Sequence, residues 1–176
     1  MVTDTEILEA VGEVPDPEVP VLTIADLGIL RGLRHDADQV VVSITPTYSG
    51  CPAMDAIRHE VELTLDHLGV AGRVETVLSP PWTTDWMTEE AKAKLTAYGI
   101  APPAGTRPTS TPSNAPGPTP LQQSRANTPV MLRLSIRCPL CGSPNTTELS
   151  RFASTACKSL WRCNDCKEPF DHFKAI

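Results

Sequence analysis

Four cysteines near the end of the chain fall into two pairs, Cys138-Pro-Leu-Cys141 and Cys163-Asn-Asp-Cys166, with 21 residues between them. Two residues between thiols let one tight turn aim both sulfurs at a single tetrahedral ion, and a second such turn completes a four-sulfur site. Gly142, directly after the first pair, suits the close turn. The chemistry this predicts is structural metal binding. Zinc is favoured over iron because it is redox-inert and common in closed four-cysteine sites, although the spacing itself does not separate the two. Two local disulfides are the competing reading, and a thioredoxin-like pair would need one such motif beside a βαβ unit. Cys157, in Ser-Thr-Ala-Cys-Lys, lies six residues before Cys163, the wrong spacing for a ligand, and is read as packing near the metal site. His172 is read as a surface or packing residue.

The sixth cysteine, Cys51, stands alone in the first hundred residues and is followed by Pro52 at the start of a predicted helix. Free N–H groups and the helix dipole favour a thiolate at such a place, so an exposed Cys51 is expected to be more acidic than a free cysteine. The alternative is a small buried residue in a Gly-Cys-Pro turn, and the residues alone leave the two readings level. Asp16, Glu18 and Asp26 cluster in the other irregular segment and are candidates to lie near Cys51; taken alone they read as turn formers and caps. A thiol enzyme is hard to build, because His35 falls in a turn and His59 and His67 fall on a polar helix face. No glycine-rich phosphate loop and no zincin motif occurs.

The elements that must hold these residues can be read in order. Thr3-Asp-Thr-Glu6 has the capping-box spacing and opens a helix whose inner face is Ile7, Leu8, Val11 and Val14, stopping before Pro15. An extended loop then runs to Gly28. Residues 29–34 and 39–46 read as a hairpin closed by the turn His35–Asp38. After Cys51 and Pro52, Met54, Ile57, Val61, Leu65 and Leu68 follow helical spacing, and residues 73–78 read as a third strand, parallel to the second by way of the helical crossover. A last helix is predicted from Thr88 to Gly99, with Leu95 and Tyr98 inward. The fold class is therefore α/β with a small mixed sheet.

Residues 101–129 carry 8 prolines and almost no large apolar side chain, the composition of a linker. They divide the chain into an α/β domain, 1–100, and a four-cysteine module, 130–176, too small to stand on its apolar core alone. Residues 146–150 and 159–162 read as short strands, which makes the module a zinc ribbon with Phe152, Trp161, Phe170 and Phe173 as its core.

Charge divides the same way. Residues 1–100 hold 6 basic and 17 acidic side chains, giving −11; residues 101–129 give +2, and residues 130–176, with 7 basic and 4 acidic, give +3. An acidic front is a poor footprint for nucleic acid. The first residues lack a basic region and an apolar core of a secretory leader, and no apolar run is long enough to span a membrane, so a reducing, cytoplasmic setting is expected.

Several motifs together carry a family resemblance. Asp16-Pro-Glu18, Asp26-Leu-Gly28, Thr45-Pro-Thr47 and Ser49-Gly-Cys51-Pro52 resemble the MIP18-like (DUF59) domain of iron-sulfur cluster assembly factors. Pro81-Trp-Thr-Thr-Asp-Trp-Met87, Tyr98-Gly-Ile-Ala-Pro102, the four-cysteine pattern and Ser154-Thr-Ala-Cys-Lys158 resemble the PaaD (also called PaaJ) family of the phenylacetyl-CoA epoxidase system of aerobic phenylacetate catabolism. The resemblance implies an accessory subunit and no enzyme activity of its own, since no Glu-x-x-His di-iron pair and no flavin motif is present. It implies a part in assembling or inserting the iron-sulfur cluster of the flavin reductase, with Cys51 as a transient cluster ligand supported by Asp16, Glu18, Asp26 and Thr47. The partners implied are the other epoxidase subunits, with a homodimer as a further arrangement; the alternative role is a non-catalytic docking component. Trp82 and Trp86 read equally as partner anchors or as core.

Overall fold

A computed structural model describes residues 2–48, 50–103 and 136–175, so the linker expectation lies outside the described residues beyond position 103. Helix α1, Asp4–Gly12, opens as the spacing predicts: the Thr3 side chain accepts from the Glu6 amide while the Glu6 carboxylate accepts from the Thr3 amide at 2.8 Å. Strands β1, Leu30–Asp36, and β2, Gln39–Ile44, form the antiparallel hairpin, with register running from Leu30 opposite Ile44 to Asp36 opposite Gln39. Helix α2, Ala53–His67, crosses back to β3, Gly72–Thr76, which lies parallel to β2, so the sheet order is β1-β2-β3. Val40, Val42 and Ile44 of the central strand meet Ile7 and Val11 of α1 and Ile57, Val61 and Leu65 of α2 in one core. Helical and strand periodicities thus turn their apolar faces to a single interior.

Two loops complete this interior. Trp82 is 3 % exposed and its indole N–H donates to the Leu27 carbonyl at 2.8 Å, which fixes the loop after β3 against the loop before β1. Gly28 allows that approach: at φ +68, a Cβ there would lie 2.7 Å from the Trp86 backbone oxygen. Trp86 is partly buried, with the Arg31 guanidinium 3.7 Å from its ring centre. Both tryptophans therefore cover the protein's own interior. Helix α3, Glu89–Ala97, is capped by Thr88, whose side chain accepts from the Ala91 amide at 3.0 Å. Leu95 is buried as expected, but Tyr98 is 61 % exposed, since α3 ends before it and Gly99 at φ +88 turns the chain away.

The ribbon contains β5, Thr146–Ser150, β6, Lys158–Cys163, and β7, Pro169–Phe173, all antiparallel. A fourth strand, β4, Ile100–Ala101, follows α3 and pairs parallel with β7, giving the order β4-β7-β6-β5. The ribbon sheet therefore takes its edge from the chain that leaves α3. The expected aromatic core of the ribbon is also redistributed. Phe170 is buried with Ala101, Ile136, Cys138 and Cys163, whereas Phe173 joins the core of the α/β unit and Phe152 is 66 % exposed beneath the Lys174 ammonium. Three strands leave room for only a few side chains beside the metal knuckles, so the remaining aromatics serve other surfaces.

Candidate functional site

The four sulfurs of Cys138, Cys141, Cys163 and Cys166 all lie within 4.8 Å of one another. Two opposite edges of the set measure 3.8 Å, from Cys138 to Cys166, and 3.6 Å, from Cys141 to Cys163. Sulfurs at the corners of a tetrahedron with Zn–S bonds of ~2.3 Å stand about 3.8 Å apart, so the donor set fits a closed zinc site. Backbone amides point at the same sulfurs: those of Cys166 and Asp165 pull the Cys163 thiol down to about 6. Amides of Ser143 and Glu168 act in the same direction on Cys141 and Cys166, but burial and the neighbouring sulfurs outweigh them, and both thiols are raised, Cys166 to about 12. The knuckles are braced from outside, where Asp165 accepts from the Asn145 side chain at 2.8 Å and also bonds Ser143. Gly142 sits at φ +73, the left-handed position the first knuckle requires.

Cys51 is half-buried one residue ahead of Pro52, which caps α2. The expectation of an acidic thiol is not met: its pKa is raised. Burial is the larger cause, and the carboxylates of Glu18 and Asp16 act in the same direction, outweighing the Ala53 amide that favours the thiolate. The helix dipole is thus present but loses to desolvation and two nearby negative charges. Tyr48 hydrogen-bonds Cys51, and burial pushes its phenol up to about 12. An open cleft of about 220 Å³ lies beside this thiol, lined by Pro46, Tyr48, Gly50, Met54, Thr76 and Leu78.

Of the carboxylates, Asp16 and Glu18 reach this place. Asp16 is buried, its Oδ1 accepting the amides of Glu18 at 2.8 Å and Val19 at 2.7 Å, so it is both turn former and neighbour. Asp26 is elsewhere: its Oδ2 accepts from the Thr23 amide at 3.0 Å and pairs with Lys94 at 2.6 Å, holding α3 against the loop. Thr47 is buried in the turn that leads to Cys51. His35 pairs with Asp4 at 2.9 Å, and His59 and His67 are exposed, so none of the three serves Cys51 as a base.

Cys157 corrects a second expectation. It does not pack beside the four sulfurs; it is 4 % exposed in the core cluster of the α/β unit, with its thiol donating to Glu18 Oε2 at 3.6 Å and Thr155 Oγ1 at 3.1 Å from its sulfur. Its position at the head of β6, the strand whose far end is Cys163, explains the separation. Spacing along the chain could not reveal it, because Glu18 lies 139 residues away.

Comparison with known proteins fits this two-part layout. The family model described as iron-sulfur cluster assembly protein matches residues 4–78, and the one described as PaaD zinc beta ribbon domain matches residues 122–174. The chain is 42 % identical over 172 residues, 97 % of its length and 92 % of the relative's, to the Escherichia coli (strain K12) protein named as the putative D component of 1,2-phenylacetyl-CoA epoxidase. This chain belongs to the PaaD family. This PaaD member is also 35 % identical over 96 residues, 53 % of its length and 90 % of the relative's, to an "Fe-S protein maturation auxiliary factor" of Porphyromonas gingivalis. A solved structure of a domain of unknown function DUF59 from Bacillus anthracis aligns at 27 % identity and a TM-score of 0.48, covering 52 % of this chain and 90 % of its own. Among the described residues of this PaaD member, no helix is long and apolar enough to cross a membrane.

Proposed function

We propose that this protein is an accessory subunit of a phenylacetyl-CoA 1,2-epoxidase system, not itself an enzyme, and that it assists assembly or insertion of the iron-sulfur cluster of the reductase component. Cys51 is the residue that handles the cluster, and the four-cysteine ribbon holds a structural zinc. The observation that carries this reading is the placement of Cys51: a half-buried thiol opening on a cleft, within residues 4–78 that match the iron-sulfur cluster assembly protein model. A histidine base is absent from that place among the described residues, which disfavours nucleophilic catalysis and leaves ligation as the chemistry a thiol performs there. The ribbon contributes exposed apolar side chains, Leu140, Leu149 and Phe152, that suit contact with a protein partner.

The test is metal and sulfide analysis with an absorption spectrum on anaerobically purified wild type and Cys51→Ser. One zinc per chain in both, with iron and sulfide that vanish in the variant, is the expected result. Zinc alone in both, together with a fully loaded reductase when Cys51→Ser replaces wild type in cells, would retire the maturation role in favour of a docking component.

A further inference from the structure

The cysteine of Ser154-Thr-Ala-Cys-Lys158 takes no part in the four-sulfur set, yet it is held in place from several sides. The Lys174 amide donates to its carbonyl at 2.9 Å, the next residue, Lys158, is buried in a 3.1 Å ion pair with Asp171, and Phe173 anchors the neighbouring strand in the core of the α/β unit. These contacts deliver one thiol of the ribbon to the segment that carries Glu18. The same surroundings contain Cys51: Tyr48 hydrogen-bonds Cys51 and feels the charges of Glu18 and Cys157. Cys51 and Tyr48 both pack against the cluster that contains Cys157.

We propose that Cys51 and Cys157 are the two sulfur ligands, and Glu18 the oxygen ligand, of a single site for an iron-sulfur cargo, a site that exists only when the ribbon is docked on the α/β unit. This rests on the cluster-handling role proposed above and adds its ligand set. A cysteine kept only to fill apolar space would not be expected to aim its thiol at a carboxylate, as Cys157 does at Glu18. Two soft sulfurs with a carboxylate select iron-sulfur cargo over hard cations. Among the described residues, the four-cysteine set is the one group of three or more ligand atoms close enough together for one ion, so Cys51, Cys157 and Glu18 do not converge on a mononuclear centre. Cys157 and Glu18, 3.6 Å apart, suit one iron of a cargo with more than one, and Cys51 suits another. Three protein ligands are fewer than the four cysteines of resident clusters, which leaves the cargo removable. On ligation each thiol gives its proton to solvent and no electron is transferred.

The experiment uses the zinc-loaded full chain, reconstituted anaerobically with ferrous iron and sulfide, as wild type, Cys51→Ser, Cys157→Ser and Glu18→Gln. Serine is nearly isosteric with cysteine, and the indole N–H signal of Trp82 in a nuclear magnetic resonance spectrum reports that the ribbon remains docked. The expected result is at least a fivefold loss of bound iron, or a sulfur-to-iron absorption band moved to shorter wavelength, in Cys157→Ser as in Cys51→Ser, and a shifted band in Glu18→Gln, with zinc at one per chain and the Trp82 signal unmoved. Wild-type iron content and spectrum in Cys157→Ser, with loss confined to Cys51→Ser, would overturn this ligand set while leaving the role of Cys51 intact. No iron on the wild type would overturn both.

Discussion

Trp82 and Phe173 meet with ring centroids 6.3 Å apart and planes tilted by 60°, although one belongs to the loop after β3 and the other ends the ribbon. Phe173 is 1 % exposed, so the last strand of the ribbon is part of the interior of the α/β unit. Phe173→Ala should therefore lower stability of the whole chain by about 3–5 kcal/mol, and Trp82→Phe by about 1–3 kcal/mol through the orphaned Leu27 carbonyl. In a double-mutant cycle read by urea unfolding, Trp82→Ala and Phe173→Ala should be coupled by about 0.5–1.5 kcal/mol. Strict additivity would mean that the ribbon is not seated on this core in solution.

The α/β unit was legible in sequence because its signals are local. Capping at Thr3 and Thr88, β-branched Val40 to Val42 and the spacing of Ile57, Val61 and Leu65 each specify an element without help from elsewhere. The four-cysteine set was legible for the same reason. What was not legible depends on the junction: β4 is two residues long and exists because β7 offers it a partner, Phe173 and Cys157 leave the ribbon for another interior, and Cys51 loses its expected acidity to burial first and then to carboxylates 33 and 35 residues earlier in the chain. Nothing within a short window of sequence encodes such a meeting.

Loss of one knuckle sulfur should empty the metal site. Cys163→Ser removes a buried ligand whose partners are already oriented, and zinc content measured by mass spectrometry should fall from one per chain to less than a tenth. The α/β unit should survive with its far-ultraviolet spectrum nearly intact. Retention of stoichiometric zinc would show that the remaining three sulfurs suffice.

Acid should weaken the ribbon through His172. Its ring is buried, Nδ1 stands 3.2 Å from Ser159 Oγ, Nε2 has no partner, and burial, with the Lys174 charge, lowers its pKa from 6.5 to about 4. The unfolded chain then binds a proton that the folded chain refuses between pH 6.5 and 4, so stability falls as pH drops through that window and levels off below it. The gap corresponds to a loss on the order of 3 kcal/mol. Urea midpoints of wild type minus those of His172→Gln should show this slope; a flat difference from pH 7 to 4 would refute it.

Both thiols of the α/β interior should react sluggishly. Cys51 should alkylate more slowly at pH 8 than a free cysteine, and Cys157, pushed up to about 11 chiefly by burial, should be slower than a free thiol by a factor on the order of 100 or more. Peptide mass spectrometry after timed iodoacetamide exposure measures both at once. A Cys51 rate at or above that of a free thiol would restore the acidic thiolate suggested by its place before α2.

Strand β6 begins one residue after Cys157 and ends at Cys163. Six residues of extended chain measure about 20 Å, which makes this strand a fixed spacer between two sulfur chemistries in one small protein. Zinc held at the far end would stay out of reach of the thiols at the near end, and an iron cargo at the site proposed near Glu18 would stay out of reach of the knuckle sulfurs. Insulation of this kind would let a permanent ion and a transient one coexist without exchanging places, with a dimension set by the length of a single strand.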